Sequence, residues 1–464
     1  MRLHRSPAIW LAPTLVLGLS APISGQHFPA DDVVQSIIDE RVAAGGAVGI
    51  ALGLMESDGS TRVFTAGRAG EGGPPLDART LFEIGSITKV FTGTLLADMA
   101  RRGEVALDDP VRVYLPDGVS APTRNGREIT LEDLATHRSG LPRLPANMAP
   151  ADPANPYVDY TPQLLYDFLS SYDLPRDIGA EVEYSNLGVG LLGFLLSGHL
   201  EMTYEEAVRE RILAPLAMEL TGIELRGPMA ALMAKGHDPG GTIVPLWDVA
   251  TLAGAGGIRS NVEDMLGFLA ANVGEPTSDL ERAMRDAHTP RESMGGPNQV
   301  GLNWITRAGD GSRIVWHNGG TAGFRTFAGF DPDAEAAVVV LTNSGIGADD
   351  IGIHLLDQTV PLAPPALPEF AQREAVDVAP EVLERYVGVY RLAPGMEAQV
   401  ELQDGRLRTQ LTGQPWVDLF PASETLFFIR VVAAELDFQV DETGGVTRFI
   451  LRQNGQTIPA EKIR

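Results

Sequence analysis

The sequence predicts an α/β fold of the α+β type: an antiparallel β-sheet flanked by helices, interrupted by an all-helical insertion and followed by a small C-terminal β-barrel-like domain. Three observations predict it. Strand signals appear soon after residue 46 and return past residue 312, helical and loop signals fill the span between them, and a proline-rich stretch near residue 365 precedes a last block of short alternating strands.

The elements follow in chain order. Residues 47–55 form a continuous apolar run, Asp58-Gly59 is a turn pair, and 62–66 is a second strand, so a β-hairpin is expected. From Ser86 to Arg102 the spacing becomes helical, with Val90, Leu95, Leu96 and Met99 apolar, two arginines in the last turn and Gly103 behind them as a stop. Between about 104 and 300, proline-rich loops such as 141–156 alternate with helices at 187–200 and 204–213, and Ser260 followed by Glu263 reads as a capping box opening another helix. Strands are expected again at 313–316, 325–330 and 336–341, the last two joined by Asp331-Pro332-Asp333. The resulting plan is a leader over 1–25, a main domain over 26–360, a linker over 361–374 marked by Pro361, Pro364, Pro365 and Pro368, and a small β domain over 375–464.

Composition narrows the class. A length of 464 residues with 44% apolar residues suits one large core and a smaller unit. A formal charge of −25 repels nucleic acid and anionic lipid, which excludes polyanion binding and otherwise serves solubility. Arg2, Arg5, the apolar stretch 8–19 and the small residues after it have the layout of a secretory signal, too short to span a bilayer, so a periplasmic or secreted protein with no membrane span is expected. The chain has no cysteine, which rules out a thiol nucleophile, a disulfide scaffold and a thiolate metal site.

Three short elements carry chemistry. In Ser86-Ile87-Thr88-Lys89 the hydroxyl and the amine sit at i and i+3, on one face at the start of the strongest helix, where free N–H groups favour an oxyanion. A serine there is also an ordinary helix cap. Only three of the 36 basic residues are lysine, however, and a lysine can give up its proton where arginine cannot. In Tyr184-Ser185-Asn186 a phenol near the ammonium is drawn toward phenolate and becomes a candidate base, although the tripeptide also suits a turn and cap. In Trp316-His317-Asn318-Gly319-Gly320, at a strand end, the glycines admit a close ligand, and the Gly320 N–H pairs with that of Ser86 as an oxyanion hole.

In this order, and with the surrounding phrases 82–89, 131–142 and 317–324, the three elements resemble the serine family of class C β-lactamases, D-alanyl-D-alanine carboxypeptidases, D-aminopeptidases and β-lactamase-fold esterases. The resemblance spans about 30–360, and the C-terminal part looks like the lipocalin-like barrel that some members append. It implies a β-lactamase/transpeptidase-like fold and an acyl-enzyme mechanism without metal or cofactor. Ser86 would be the nucleophile, Lys89 its proton partner and Tyr184 the base. Asn186, His317, Asn318, Gly319 and Gly320 would contact substrate, a small molecule or short peptide. His137, Gly256, Gly257 and Ser260 fall in shared phrases as loop-structuring residues.

Two departures matter. Tyr-Ser-Asn in place of Ser-Asp-Asn points to the class C side, whereas His317-Asn318-Gly319 replaces the Lys-Thr-Gly of those β-lactamases. A neutral imidazole offers less positive charge to a β-lactam carboxylate. Three readings stand: an exported hydrolase of β-lactams or related amides; a D-amino-acid peptidase or ester hydrolase on the same groups; and a penicillin-binding or peptidoglycan-recognising protein with little turnover.

Overall fold

The computed structural model describes residues 27–464 apart from 71, 310–311, 366–372, 394–395, 404, 413–415, 431, 442–443 and 454–455. The expected leader over 1–25 and the middle of the expected linker therefore lie outside the described residues.

Period-two burial builds the main sheet. Gly49–Met55 and Thr61–Gly67 form the expected hairpin, in register Gly49 to Gly67. The three late strands, Arg313–Gly320, Arg325–Asp331 and Ala336–Thr342, form the expected meander. The two groups join through Gly49–Met55 and Ala336–Thr342, which pair antiparallel with Ile50 opposite Thr342. Ile305–Ala308, Asn298–Val300 and Glu292–Gly295, which carry no clear strand signal, extend the sheet to eight strands.

Alternate residues of the sheet feed two cores. Ile50, Leu52, Leu54, Val338 and Val340 pack with Val34 and Ile38 of the helix Asp31–Ala43 and with Ile351 and Leu355 of Asp349–Leu356. Ala51, Ala337, Val339 and Leu341 face the larger core under the helices Thr88–Arg101, Asn186–His199 and Val262–Ala270. Gly53 lets Val262–Ala270 lie on the strand, since a Cβ there would sit 2.5 Å from Val262 Cγ1.

Thr88–Arg101 is buried on every side from Thr88 to Met99. Phe91 stacks on Phe268 at 4.1 Å between ring centroids, and each fully buried Leu or Phe contributes about 1.5–3 kcal/mol relative to exposure. The helix stops as expected at Gly103, with φ of 71°, the Gly103 N–H donating to the Ala100 carbonyl and the Glu104 N–H to that of Met99. Val262–Ala270 is capped differently from expectation: Asn261 accepts from Asp264 N–H, while Ser260 is committed to a 2.7 Å hydrogen bond with Thr221. The middle segment is mainly helical, but short two-stranded ribbons also run through it, one pairing Phe82–Glu83 with Arg259–Ser260.

The C-terminal strands form a nine-stranded, nearly closed sheet around Tyr386, Tyr390, Phe427, Phe438 and Phe449. Its two edges, Val417–Asp418 and Phe420–Pro421, are separated only by buried Leu419, so the chain itself brings them together. Among the described residues no helix is long and apolar enough to cross a membrane.

Candidate active site

Ser86 lies in a single 3-10 turn, Gly85–Ile87, that leads directly into Thr88–Arg101. Two glycines press this turn against the end of Arg313–Gly320. A Cβ on Gly319 would stand 1.9 Å from the Ile84 carbonyl oxygen, and one on Gly85, whose φ is 52°, would stand 2.6 Å from Gly320 N. Thr326 Oγ1 donates to the Ile84 carbonyl at 2.9 Å and fixes the same contact from the next strand. Behind it, buried Glu83 accepts from Trp247 N–H at 2.7 Å and faces Arg259 at 3.5 Å.

One helical turn beyond Ser86, Lys89 Nζ lies 3.0 Å from Ser86 Oγ, as the i, i+3 spacing predicts. It also donates to Asn186 Oδ1 at 2.9 Å and to the Ala255 carbonyl at 2.6 Å. The side chain is fully buried and has no carboxylate partner among the described residues. Burial, reinforced by the like charge of Arg143, holds the amine well below the usual lysine range.

Tyr184-Ser185-Asn186 reaches this amine because a loop clamps it. Ser185 caps Asn186–His199 by accepting from Gly188 N–H, and its own Oγ donates to the Pro142 carbonyl. The N–H groups of Asn186 and Leu187 donate to the Arg143 carbonyl. His137 Nδ1 accepts from Ser185 N–H at 3.2 Å, and its ring lies 4.7 Å from that of Tyr184, so His137 orders this loop. The cap reading of the tripeptide is realised by Ser185, while its neighbours Tyr184 and Asn186 lie beside Lys89.

The Tyr184 ring sits 4.8 Å from Lys89 Nζ, and its phenol hydrogen-bonds Ser86. A lysine ammonium beside a phenol favours phenolate, and burial acts against it. Burial pushes the Tyr184 phenol up, and the Ser86 hydrogen bond and Arg143 oppose this only in part. Burial thus disfavours the charged form of both groups, the ammonium and the phenolate.

His317 faces the same cluster, with its ring 6.2 Å from Tyr184. It is buried, Nδ1 meets the Asn318 carbonyl at 2.6 Å, and burial, followed by the Lys89 charge, lowers its pKa to about 3. Asn318 lies elsewhere: strand alternation turns its side chain to the opposite face, where Nδ2 donates to Asp349 at 2.6 Å. Gly319 spends its missing side chain on the Ile84 carbonyl, whereas Gly320 stays exposed at the edge.

Two groups escape the sequence reading. The Tyr157 hydroxyl accepts from Asn186 Nδ2 at 3.2 Å, and the guanidinium of exposed Arg143 lies 5.2 Å from the Tyr184 ring. Both come from or directly follow the proline-rich loop, which has no periodicity; the phrase 131–142, ending one residue before Arg143, is the only signal nearby.

A serine hydroxyl bonded to a buried helical amine and to a phenol, at the edge of an antiparallel sheet flanked by helices, defines a serine hydrolase of the β-lactamase/transpeptidase-like fold. The Beta-lactamase family model matches residues 34–377, and the chain belongs to that family. A second model, a Domain of unknown function (DUF3471), matches residues 372–462, the nine-stranded unit. The chain is 31% identical to the D-alanyl-D-alanine-carboxypeptidase/endopeptidase AmpH of Escherichia coli (strain K12), over 70% of this chain and 86% of that protein. It is 27% identical to Penicillin-binding protein 4* of Bacillus subtilis (strain 168), over 82% and 87% of the two chains. Among solved structures, a class C beta lactamase from Rhodobacter sphaeroides superposes with a TM-score of 0.58 at 26% identity, covering 68% of this chain and 94% of that one.

Proposed function

We propose that this chain is an exported acyl-serine hydrolase with Ser86 as nucleophile, acting on short peptides that end in D-amino acids and, as a second class, on β-lactams. The observation that carries the chemistry is the environment of Lys89. Asn186 Oδ1 and the Ala255 carbonyl only accept hydrogen bonds, so a neutral amine gives both its N–H groups to them and turns its lone pair to the Ser86 hydroxyl. Burial favours that neutral form.

Ser86 Oγ attacks the scissile carbonyl carbon while its proton passes to Lys89 Nζ, and the carbonyl π pair moves onto oxygen. The N–H groups of Ser86 and Gly320 receive that oxyanion; the packing of Gly85 on Gly320 supports their being neighbours. As the C–N bond breaks, the proton returns through the Tyr184 phenol to the leaving nitrogen, and the acyl group stays on Ser86. Water then repeats the sequence from the other side. Side chains and water account for every proton and electron pair in this scheme, which calls for no metal or cofactor.

The substrate class rests on the comparisons, since the uncharged His317 gives no fixed cation on this strand to the carboxylate of either substrate. The similarity to a carboxypeptidase/endopeptidase supports peptides. The family name supports β-lactams. The apolar leader pattern of 8–19 supports a periplasmic or secreted location.

Turnover of a D-Ala-D-Ala peptide, nitrocefin and p-nitrophenyl butyrate by the purified protein tests the reading. The peptide should give the largest kcat/KM, and Ser86→Ala should lower all three by about 10³-fold or more. Activity surviving that substitution sinks the proposal, and stoichiometric labelling of Ser86 without turnover makes the chain a binding protein instead.

A further inference from the structure

Resting on the acyl-serine reading above, we infer that Arg143 is the residue that selects substrates with a free carboxylate, its guanidinium taking the charge-recognition role that His317 leaves vacant. Three independent features converge on it.

The first is position. The Arg143 carbonyl accepts from the N–H groups of both Asn186 and Leu187, at 3.0 and 3.2 Å, so the root of its side chain is tied to the first turn of the helix that carries Asn186. From there the guanidinium comes to 5.2 Å from the Tyr184 ring, and the Tyr184 phenol in turn bonds Ser86. The carboxyl carbon of a leaving residue lies about 3–4 Å beyond the attacked carbon by ordinary bond lengths, so a carboxylate-binding group belongs beside the cluster and not within it.

The second is availability. This is an acidic chain in which most arginines are matched to carboxylates, yet Arg143 is exposed and has no ion pair or side-chain hydrogen bond among the described residues. Glu181 and Glu183, which precede Tyr184 in the clamped segment, are both held by Arg176. A planar, undischarged fork at the edge of a site suits bidentate capture of a carboxylate.

The third is need. His317 occupies the strand position facing the cluster, is buried and carries no charge. The neighbouring cation, Arg325, is half-buried; its Nη1 donates to the carbonyls of Thr321 and Phe324, and Asp349 lies near. Lys89 is tied to Ser86, Asn186 and Ala255. Of these cations, Arg143 is the one that is exposed and makes no side-chain hydrogen bond among the described residues.

The test compares a D-Ala-D-Ala peptide with the same peptide bearing a C-terminal amide, using the full chain. The readout is the ratio of kcat/KM, acid over amide, within each enzyme. The ratio should exceed about 10 in the wild type, fall to near 1 in Arg143→Gln, and lie between in Arg143→Lys, which keeps the charge but loses the fork. A wild-type ratio near 1, or a ratio that Arg143→Gln leaves as it was, overturns the assignment. If neither peptide turns over, acylation of Ser86 by benzylpenicillin and by its methyl ester supplies the ratio and is judged in the same way; no acylation by either also overturns it. Hydrolysis of p-nitrophenyl butyrate that persists in Ser86→Ala identifies the separate failure of the acyl-serine reading.

Discussion

Asn186 Oδ1 and Lys89 Nζ meet at 2.9 Å across 97 residues of sequence, and the other end of the same amide donates to the Tyr157 hydroxyl at 3.2 Å. The amide is thereby oriented with its oxygen on the amine, where it adds a hydrogen bond without adding charge. Asn186→Asp puts a carboxylate in that place and stabilises the ammonium, raising the Lys89 pKa. At pH 7, kcat/KM should fall by about 10²-fold and recover in part as pH rises and the amine is freed. A pH–rate profile checks this; an acid limb that does not move to higher pH removes the free-amine role.

Gly319→Ala and Gly320→Ala should differ sharply although the positions are adjacent. The first drives a Cβ into the Ile84 carbonyl and Thr326 Oγ1, at 1.9 and 2.3 Å, whereas the second meets the movable end of Arg325 at 3.1 Å. Gly319→Ala is expected to cost about 1–3 kcal/mol in urea unfolding and to displace the turn under Ser86. Gly320→Ala should cost less than about 1 kcal/mol. Equal losses would show that the turn does not depend on this contact.

Acid should destabilise the fold through buried imidazoles. Burial, with Arg285 next, lowers the His288 pKa to about 4, and His317 lies at about 3. Both stay neutral in the fold, while the unfolded chain takes up protons near pH 6.5. Their contribution is complete above pH 6.5 and is lost as pH falls toward 4. For His288 alone this amounts to roughly 3 kcal/mol. Urea midpoints at pH 7.5 and 4.5 should therefore separate less in His288→Gln than in the wild type.

Glu83→Ala should destabilise by about 3 kcal/mol or more, because it leaves the buried Arg259 guanidinium without its nearest acid and the Trp247 N–H without an acceptor. Glu83→Gln keeps an acceptor for Trp247 and should cost less. Thermal unfolding of the pair gives the comparison, and equal Tm values would count against the buried ion pair.

What could be read from the sequence was local. The i, i+3 relation of Ser86 and Lys89, the stop at Gly103, the first hairpin and the late meander all follow from spacing and turn residues close by. The helix Asp31–Ala43 was not legible because its apolar residues come in adjacent pairs, Val33-Val34 and Ile37-Ile38, of which only Val34 and Ile38 are buried; the strand Glu292–Gly295 alternates only partly buried residues. Arg143 and Tyr157 join the site through contacts with Asn186, distant in sequence, from a stretch with no periodic signal. The protonation of Tyr184 and Lys89 is a matter of burial, which belongs to the assembled fold and not to either motif.

The pairing of Gly49–Met55 with Ala336–Thr342 has a temporal consequence. A nascent or partly threaded chain that stops near residue 300 already contains Ser86, Lys89, Tyr184 and Asn186, but lacks the strand against which Ile84 and Gly85 rest. The turn is then held from one side alone, by Lys89 and by the ribbon of Phe82–Glu83 with Arg259–Ser260. Completing the pocket requires segments from the two distant ends of the domain to meet.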